Sequence, residues 1–122
     1  MKIKTAIVTG GAGFIGINLV KKISYLYDQV VCIDNFTLGT EYFFTLEIGL
    51  HNVSLIKEDC SDEIAMKELF TKLTNDGHEG DVWHLAANSD IPSGVLDSGI
   101  DLKDTFLSTY NVLLAMKDTS FH

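Results

Sequence analysis

Arginine is absent from this chain: its nine cationic residues are all lysines, set against 17 acids for a net charge of −8. That balance supplies no basic face for nucleic acid or for an anionic membrane surface, so neither is expected as a partner. Cysteine is scarce. Cys32 and Cys60 are the only two, too few and too far apart for a disulfide framework or a metal knuckle. The four histidines (His51, His78, His84, His122) show no zinc-ligand spacing. No apolar run approaches the roughly 20 residues of a membrane span. The N-terminus passes straight into a strand pattern, with no leader-like segment before it. The expected compartment is therefore a reducing cytoplasm, and the acceptor patterns at Asn35-Phe36-Thr37 and Asn52-Val53-Ser54 are read as coincidence.

What remains is a globular composition: 122 residues, 46% hydrophobic and 21% charged. This is one domain with material for a real core.

The chain is organised around Thr9-Gly10-Gly11-Ala12-Gly13-Phe14-Ile15-Gly16. An apolar run, Ile3 to Val8, leads in. A helix-period pattern, Phe14, Ile15, Leu19, Val20, Ile23, leads out. Strand, glycine turn and helix form the setting in which such a motif binds a dinucleotide. Glycines keep side chains away from the diphosphate, and the first N–H groups of the helix, with its dipole, favour the anion. Two registers fit: Gly11, Gly13, Gly16 or Gly10, Gly13, Gly16. Asp34, ending the next apolar strand Val30–Ile33, lies 18 residues after Gly16. That is near the spacing of an acid that binds the adenosine ribose hydroxyls.

Further along, the spacing predicts a loop over 35–40 and a short helix over 41–48. A third strand is expected at Val53–Lys57, and a helix opened by Asp62 and Glu63 with Met66, Leu69, Phe70 and Leu73 on its apolar face. The fourth strand is expected at Asp81–Ala87 and a loop at Asn88–Gly99. A last helix is expected from Leu102 to Lys117, with Phe106, Tyr110, Leu113 and Leu114 on one face. Trp83, Phe43, Phe44 and Phe70 are expected in the core, and His84 is expected to be a packed strand-end residue. Strand and helix alternate four times, so the expected fold class is α/β: a doubly wound, Rossmann-like parallel sheet of order 3-2-1-4, ending before a fifth strand. The C-terminal strand ends then converge on one crevice.

The motif at 9–16, Asp34-Asn35, Asp59 and His84-Leu85-Ala86-Ala87 together resemble the extended short-chain dehydrogenase/reductase family. More narrowly they resemble its NAD-dependent nucleotide-sugar epimerases and dehydratases, and the segment Thr105 to Met116 is similar to the N-x-x-G-T-x-N-x-L-x-A helix of that group. The resemblance covers essentially the whole chain. It implies that Gly10, Gly13, Phe14 and Ile15 hold the diphosphate of NAD. Asp34 would bind the adenosine ribose, with Asn35 beside it. Asp59 and Cys60 would flank the adenine, and Leu85, Ala86 and Ala87 would line the nicotinamide-side ribose. It also implies a nucleotide-sugar substrate, transient oxidation of a sugar hydroxyl by NAD, and a homodimer as one assembly state. Ser89 and Ser93 fall in the loop where such a protein begins to meet its sugar.

Two departures bear on that reading. Thr105 and Ser108 stand where the group has asparagine and glycine, and the asparagine's contact to the loop is expected to be lost. The catalytic tyrosine, four residues before a lysine, is missing: Tyr25, Tyr27, Tyr42 and Tyr110 are followed at that spacing by Gln29, Val31, Leu46 and Leu114. No catalytic residue is assigned. Residues 1–122 are read as a single, partial NAD-binding domain whose substrate domain and catalytic segment lie elsewhere, inactive alone. The alternative is a non-catalytic NAD-binding sensor or interaction module. Asp34, with no arginine to receive a 2′-phosphate, favours NAD over NADP.

Overall fold

Strand β1, Ile3–Thr9, is the centre of the molecule; Ala6, Ile7 and Val8 on it are 0% exposed. The computed structural model describes residues 1–37, 49 and 51–122. The glycine turn follows β1 and opens helix α1, Phe14–Ile23, whose last turn carries Lys21 and Lys22 where the dipole favours cations. A short 3₁₀ turn, Ser24–Leu26, leads to β2, Gln29–Asp34. The Asn52 amide caps that turn, donating to the carbonyls of Ser24 and Tyr27. β3 spans Val53–Lys57 and α2 spans Glu63–Asn75. Asp62 caps α2 by accepting the Ala65 N–H at 3.0 Å. The expected helix over 41–48, with Phe43 and Phe44, lies outside the described residues.

β4 spans His78–His84 and pairs in parallel with β1 from Ile3↔His78 to Thr9↔His84. With β2 on the other side of β1 and β3 beyond it, the sheet has the expected order 3-2-1-4, all parallel. β4 begins three residues earlier than its apolar run suggests, because Gly80 (φ +148°) lets the backbone pass tight against Thr5. Beyond β4, Phe121 forms one parallel bridge with Gly80, flanked by Val82 N–H to the His122 carbonyl and His122 N–H to the Gly80 carbonyl, both 3.0 Å. The outer edge of β4 is thus partly covered.

Two apolar layers sandwich the sheet. Ala6, Val8, Val30 and Cys32 pack against Ile17, Val20 and Ile23 of α1. On the opposite face Ile7, Val31 and Ile33 meet Met66 and Phe70 of α2 with Val112 and Ala115. Phe70, fully buried as expected, meets Phe121 edge-on with ring centroids 5.6 Å apart. Trp83 is a correction: it is 39% exposed and donates its indole N–H to the Tyr27 hydroxyl at 3.3 Å. It sits on the edge strand, on the same sheet face as its register partner Val8 but outside the buried cluster that Val8 forms with α1.

The expected loop over 88–99 contains helix α3, Ile91–Leu96, and runs into a short helix α4, Ser98–Asp101. Chain then continues as a π-helical segment, Leu102–Leu107, into α5, Ser108–Met116. The Ser108 hydroxyl donates to the Asp104 carbonyl and the Thr109 hydroxyl to the Thr105 carbonyl, so side chains help satisfy groups of the widened turn. The expected apolar face is on the wrong side. Phe106, Tyr110 and Leu113 are 64%, 51% and 62% exposed, while Ser108, Asn111, Val112 and Ala115 are buried. Small side chains at i, i+3, i+4, i+7 let the helix lie close to the sheet. Asn111 satisfies its amide there on the Cys60 carbonyl at 3.1 Å.

Candidate functional site

The ends of all four strands open onto one cleft of about 600 Å³. The glycine turn forms its floor. Gly10 has φ +68°, a conformation that disfavours any other residue, and a Cβ there would strike the backbone of Ala86. Gly11 lies beneath the turn, where a Cβ would meet the Cys32 side chain at 2.7 Å. Gly13 faces the cleft, and a Cβ on it would meet only the Gly10 carbonyl oxygen, at 3.4 Å. Gly16 is packed against the backbone of Gly10 and Gly11, with no room for a Cβ. Of the two registers, Gly10, Gly13 and Gly16 is therefore the one that lines the cleft. Phe14 and Ile15 are the first two residues of α1, so their N–H groups have no partner one turn back within the helix.

Asp34 ties this turn to the next loop. Its Oδ2 accepts the Ala12 N–H at 3.0 Å and its Oδ1 the Phe36 N–H at 2.8 Å. Each oxygen keeps a second lone pair for another donor. Phe36 takes a left-handed φ of 60° to complete that turn, and Asn35 Oδ1 accepts the Thr37 N–H at 3.0 Å. Asp59 is fixed similarly. Its Oδ1 accepts both the N–H and the hydroxyl of Ser61, at 2.8 and 2.7 Å, leaving Oδ2 to Lys103 Nζ at 3.5 Å and to the cleft. Burial works to raise this carboxyl, but the Ser61 bonds and the Lys103 charge outweigh it and hold it below the usual carboxylate range. Cys60 is buried, and burial pushes its thiol up to about 12, so it is neutral at pH 7.

On the far side, Leu85, Ala86 and Ala87 follow β4. The Thr9 hydroxyl accepts the N–H groups of Leu85 and Ala86 at 3.0 and 3.2 Å. Thr105 keeps the loop contact that was expected to be lost: its hydroxyl accepts the Asn88 N–H at 3.0 Å. Asn88 in turn donates to Asp101 at 2.8 Å. His84 is half-buried, as a packed strand-end residue would be, and burial lowers its pKa.

All eleven residues singled out from the sequence, Gly10, Gly13, Phe14, Ile15, Asp34, Asn35, Asp59, Cys60, Leu85, Ala86 and Ala87, line this one cleft. Ser89 and Ser93 line it too. The Ser93 hydroxyl donates to Asp90 at 2.5 Å, which holds the Asp90 carboxyl low. Glu58, Asp104 and Ile100 also line it and were not found from sequence. Glu58 adjoins Asp59 and could have been noticed. Asp104 and Ile100 reach the cleft only because the chain after α3 folds back over it. Among the described residues no group of three or more histidine, cysteine or acidic side chains could hold a metal ion. No helix there is long and apolar enough to cross a membrane.

The family model for GDP-mannose 4,6 dehydratase matches residues 7–122. The chain belongs to this family. It is 33% identical over 104 residues to a "probable dTDP-glucose 4,6-dehydratase" of Sinorhizobium fredii, covering 84% of this chain and 27% of that one. Two solved structures are similar. The UDP-glucose 4-epimerase of Thermus thermophilus, in complex with NAD, aligns with a TM-score of 0.75 at 27% identity over 91% of this chain. An epimerase of Methanothermobacter thermautotrophicus aligns at 0.80 and 26% over 98%. The chain covers 33% of each of those structures, so this member of the dehydratase family spans about a quarter to a third of its relatives' length.

Proposed function

We propose that this chain is the NAD-binding part of a nucleotide-sugar epimerase or dehydratase. The observation that carries the reading is the cleft, where the turn of Gly10 and Gly13, the Asp34 carboxylate and the backbone after His84 meet. The residues present fit the dinucleotide: the empty space a Gly13 Cβ would fill is the room a diphosphate needs. The N–H groups of Phe14 and Ile15, with Gly10 and Gly13, receive the diphosphate at the positive end of α1. Asp34 accepts the adenosine ribose hydroxyls through its remaining lone pairs, with Asn35 beside it. Asp59 Oδ2 accepts the adenine amino group while Cys60 lines the ring's other edge. Leu85, Ala86 and Ala87 wall the nicotinamide-side ribose. NAD, when bound, supplies a reversible hydride acceptor for a sugar hydroxyl. This chain's own residues bind and orient that cofactor and exclude water from one side of it.

The proton-transfer tyrosine and its lysine are not in this sequence, so no residue here is assigned to take the sugar's proton. The expected outcome is saturable NAD binding by calorimetry with no NAD reduction on adding a UDP- or dTDP-sugar. Absence of NAD binding overturns the cofactor reading; stoichiometric reduction by the purified chain overturns the assignment of catalysis to residues outside it.

A further inference from the structure

We propose that His84 is a positioning residue: as a neutral ring protonated on Nε2 only, it fastens the cleft wall at Leu85–Ala87 to the glycine turn and to α5. The proposal rests on the dinucleotide reading above for its consequence, and on hydrogen-bond accounting for its substance. The Thr9 hydroxyl has one hydrogen and two lone pairs. The lone pairs are taken by the N–H groups of Leu85 and Ala86. Its hydrogen therefore goes to His84 Nδ1, 2.6 Å away, which must be bare. The ring proton then sits on Nε2 and is donated to the Thr109 hydroxyl at 3.0 Å. Thr109 passes its own hydrogen to the Thr105 carbonyl at 2.8 Å. Each hydroxyl and ring hydrogen along this line has one acceptor, which leaves the ring a single tautomer.

A second proton on His84 breaks the line at a definite place. Nδ1–H would need a lone pair of Thr9, and both are occupied. Leu85 can fall back on the Thr9 carbonyl, which its N–H already approaches at 3.1 Å. Ala86 has no such second bond, so its N–H is the one released, in the wall that faces the cofactor. From β1 the ring meets Thr9 and from α5 it meets Thr109, neither of which titrates near neutrality. Lys103 and Asp104 are the charged groups of the π segment, and Lys103 lies on Asp59 and Asp104. Burial alone lowers the ring's pKa. Of the cleft carboxyls, Asp59 and Asp90 are held below the usual carboxylate range, with bonds from Ser61 and Ser93.

The test uses the 122-residue chain and NAD itself. Without cofactor, imidazole ¹⁵N spectra are expected to show bare Nδ1 and protonated Nε2 at pH 7.5, with the Ala86 amide shifting as the ring titrates. NAD affinity is expected to weaken from pH 7.5 to 5.5 by less than about tenfold, the bound set by the ordinary histidine value of about 6.5 that burial lowers. His84→Asn keeps an acceptor beside Thr9, and His84→Gln keeps a donor toward Thr109. Neither titrates, so both should bind NAD more weakly than the parent at pH 7.5 and show no pH dependence in this window. A ring protonated on Nδ1 at pH 7.5, or the parental pH slope retained in both variants, overturns the proposal. A parent that binds no NAD overturns the cofactor reading instead, and the tautomer and the Ala86 amide then decide the relay on the unliganded chain.

Discussion

Gly13 and Gly16 look alike in the sequence and do different work. At Gly13 the backbone is extended (φ −78°, ψ 173°), and a Cβ has open space on the cleft side. Gly13→Val is expected to fold, with unchanged circular dichroism, and to abolish NAD binding by filling the place of the diphosphate. At Gly16 a Cβ would run into Gly11 Cα at 2.7 Å, contact with backbone that cannot give way. Gly16→Ala is expected to lower stability by about 1–3 kcal/mol or more through overpacking, read as a fall in the denaturation midpoint. Affinity of Gly13→Val for NAD equal to the parent's would remove this turn from the diphosphate site. The choice between NAD and NADP also belongs to single residues. A 2′-phosphate beside Asp34 would meet a repulsion of roughly 4 kcal/mol at 4 Å near a surface, before screening. The sequence holds no arginine to relieve it. The fold, however, brings Lys57 on β3 opposite Asp34, with its ammonium 5.9 Å from the Phe36 ring. NAD is expected to win by at least about tenfold, or 1.4 kcal/mol, and Lys57→Gln to widen that gap. Parallel titrations at fixed salt test both, and equal affinities would show that Asp34 does not face the ribose.

At the level of elements, helix ends behaved as local chemistry dictates, while the face of the last helix did not. Asp62 caps α2, and Asp90 and Asp97 cap α3 and α4 by accepting the N–H groups of Ser93 and Gly99. These are bonds within three residues, so residue type and position suffice to foresee them. Asp62→Ala is expected to cost about 1 kcal/mol, measured by urea denaturation; a change below a few tenths would mean the cap contributes little. The last helix shows the opposite case. Its large apolar residues, Phe106, Tyr110 and Leu113, mark an apolar stripe in the sequence, yet the sheet receives Ser108, Asn111, Val112 and Ala115. Close approach selects small side chains, and hydrophobicity alone cannot report which face is near. The short helix Ile91–Leu96 forms within the expected loop, although Pro92 and Gly94 resemble helix breakers. Proline is tolerated in a helix's first turn, and a Cβ on Gly94 would collide with Asp101.

Over the whole molecule the charge is −8, and the cleft shares that sign. Asp34, Glu58, Asp59, Asp90 and Asp104 line it, and Lys103 is the cation that reaches Asp59. The diphosphate of NAD, only partly offset by the cationic nicotinamide ring, must enter against this field, so added salt should help it. NAD affinity is expected to rise severalfold between low and physiological ionic strength, as the Debye length falls from about 30 to 8 Å. Affinity that weakens with salt would place more positive charge at the site than this cleft contains. Sequence by itself determined the strand order, the glycine turn and the acid that ends β2. Those features follow from period-2 and period-3.6 patterning and from short-range turn chemistry, each carried within a few neighbouring residues, whereas the cleft residues at 59–60 and 85–87 were implied by the family resemblance. The tertiary structure alone decided the glycine register, the burial of the last helix through its small side chains, the exposure of Trp83, and the meeting of Thr9, His84 and Thr109. Those partners lie 25 to 75 positions apart in the chain. No local pattern encodes which of many hydroxyls will face a given ring until the sheet and its helices have packed.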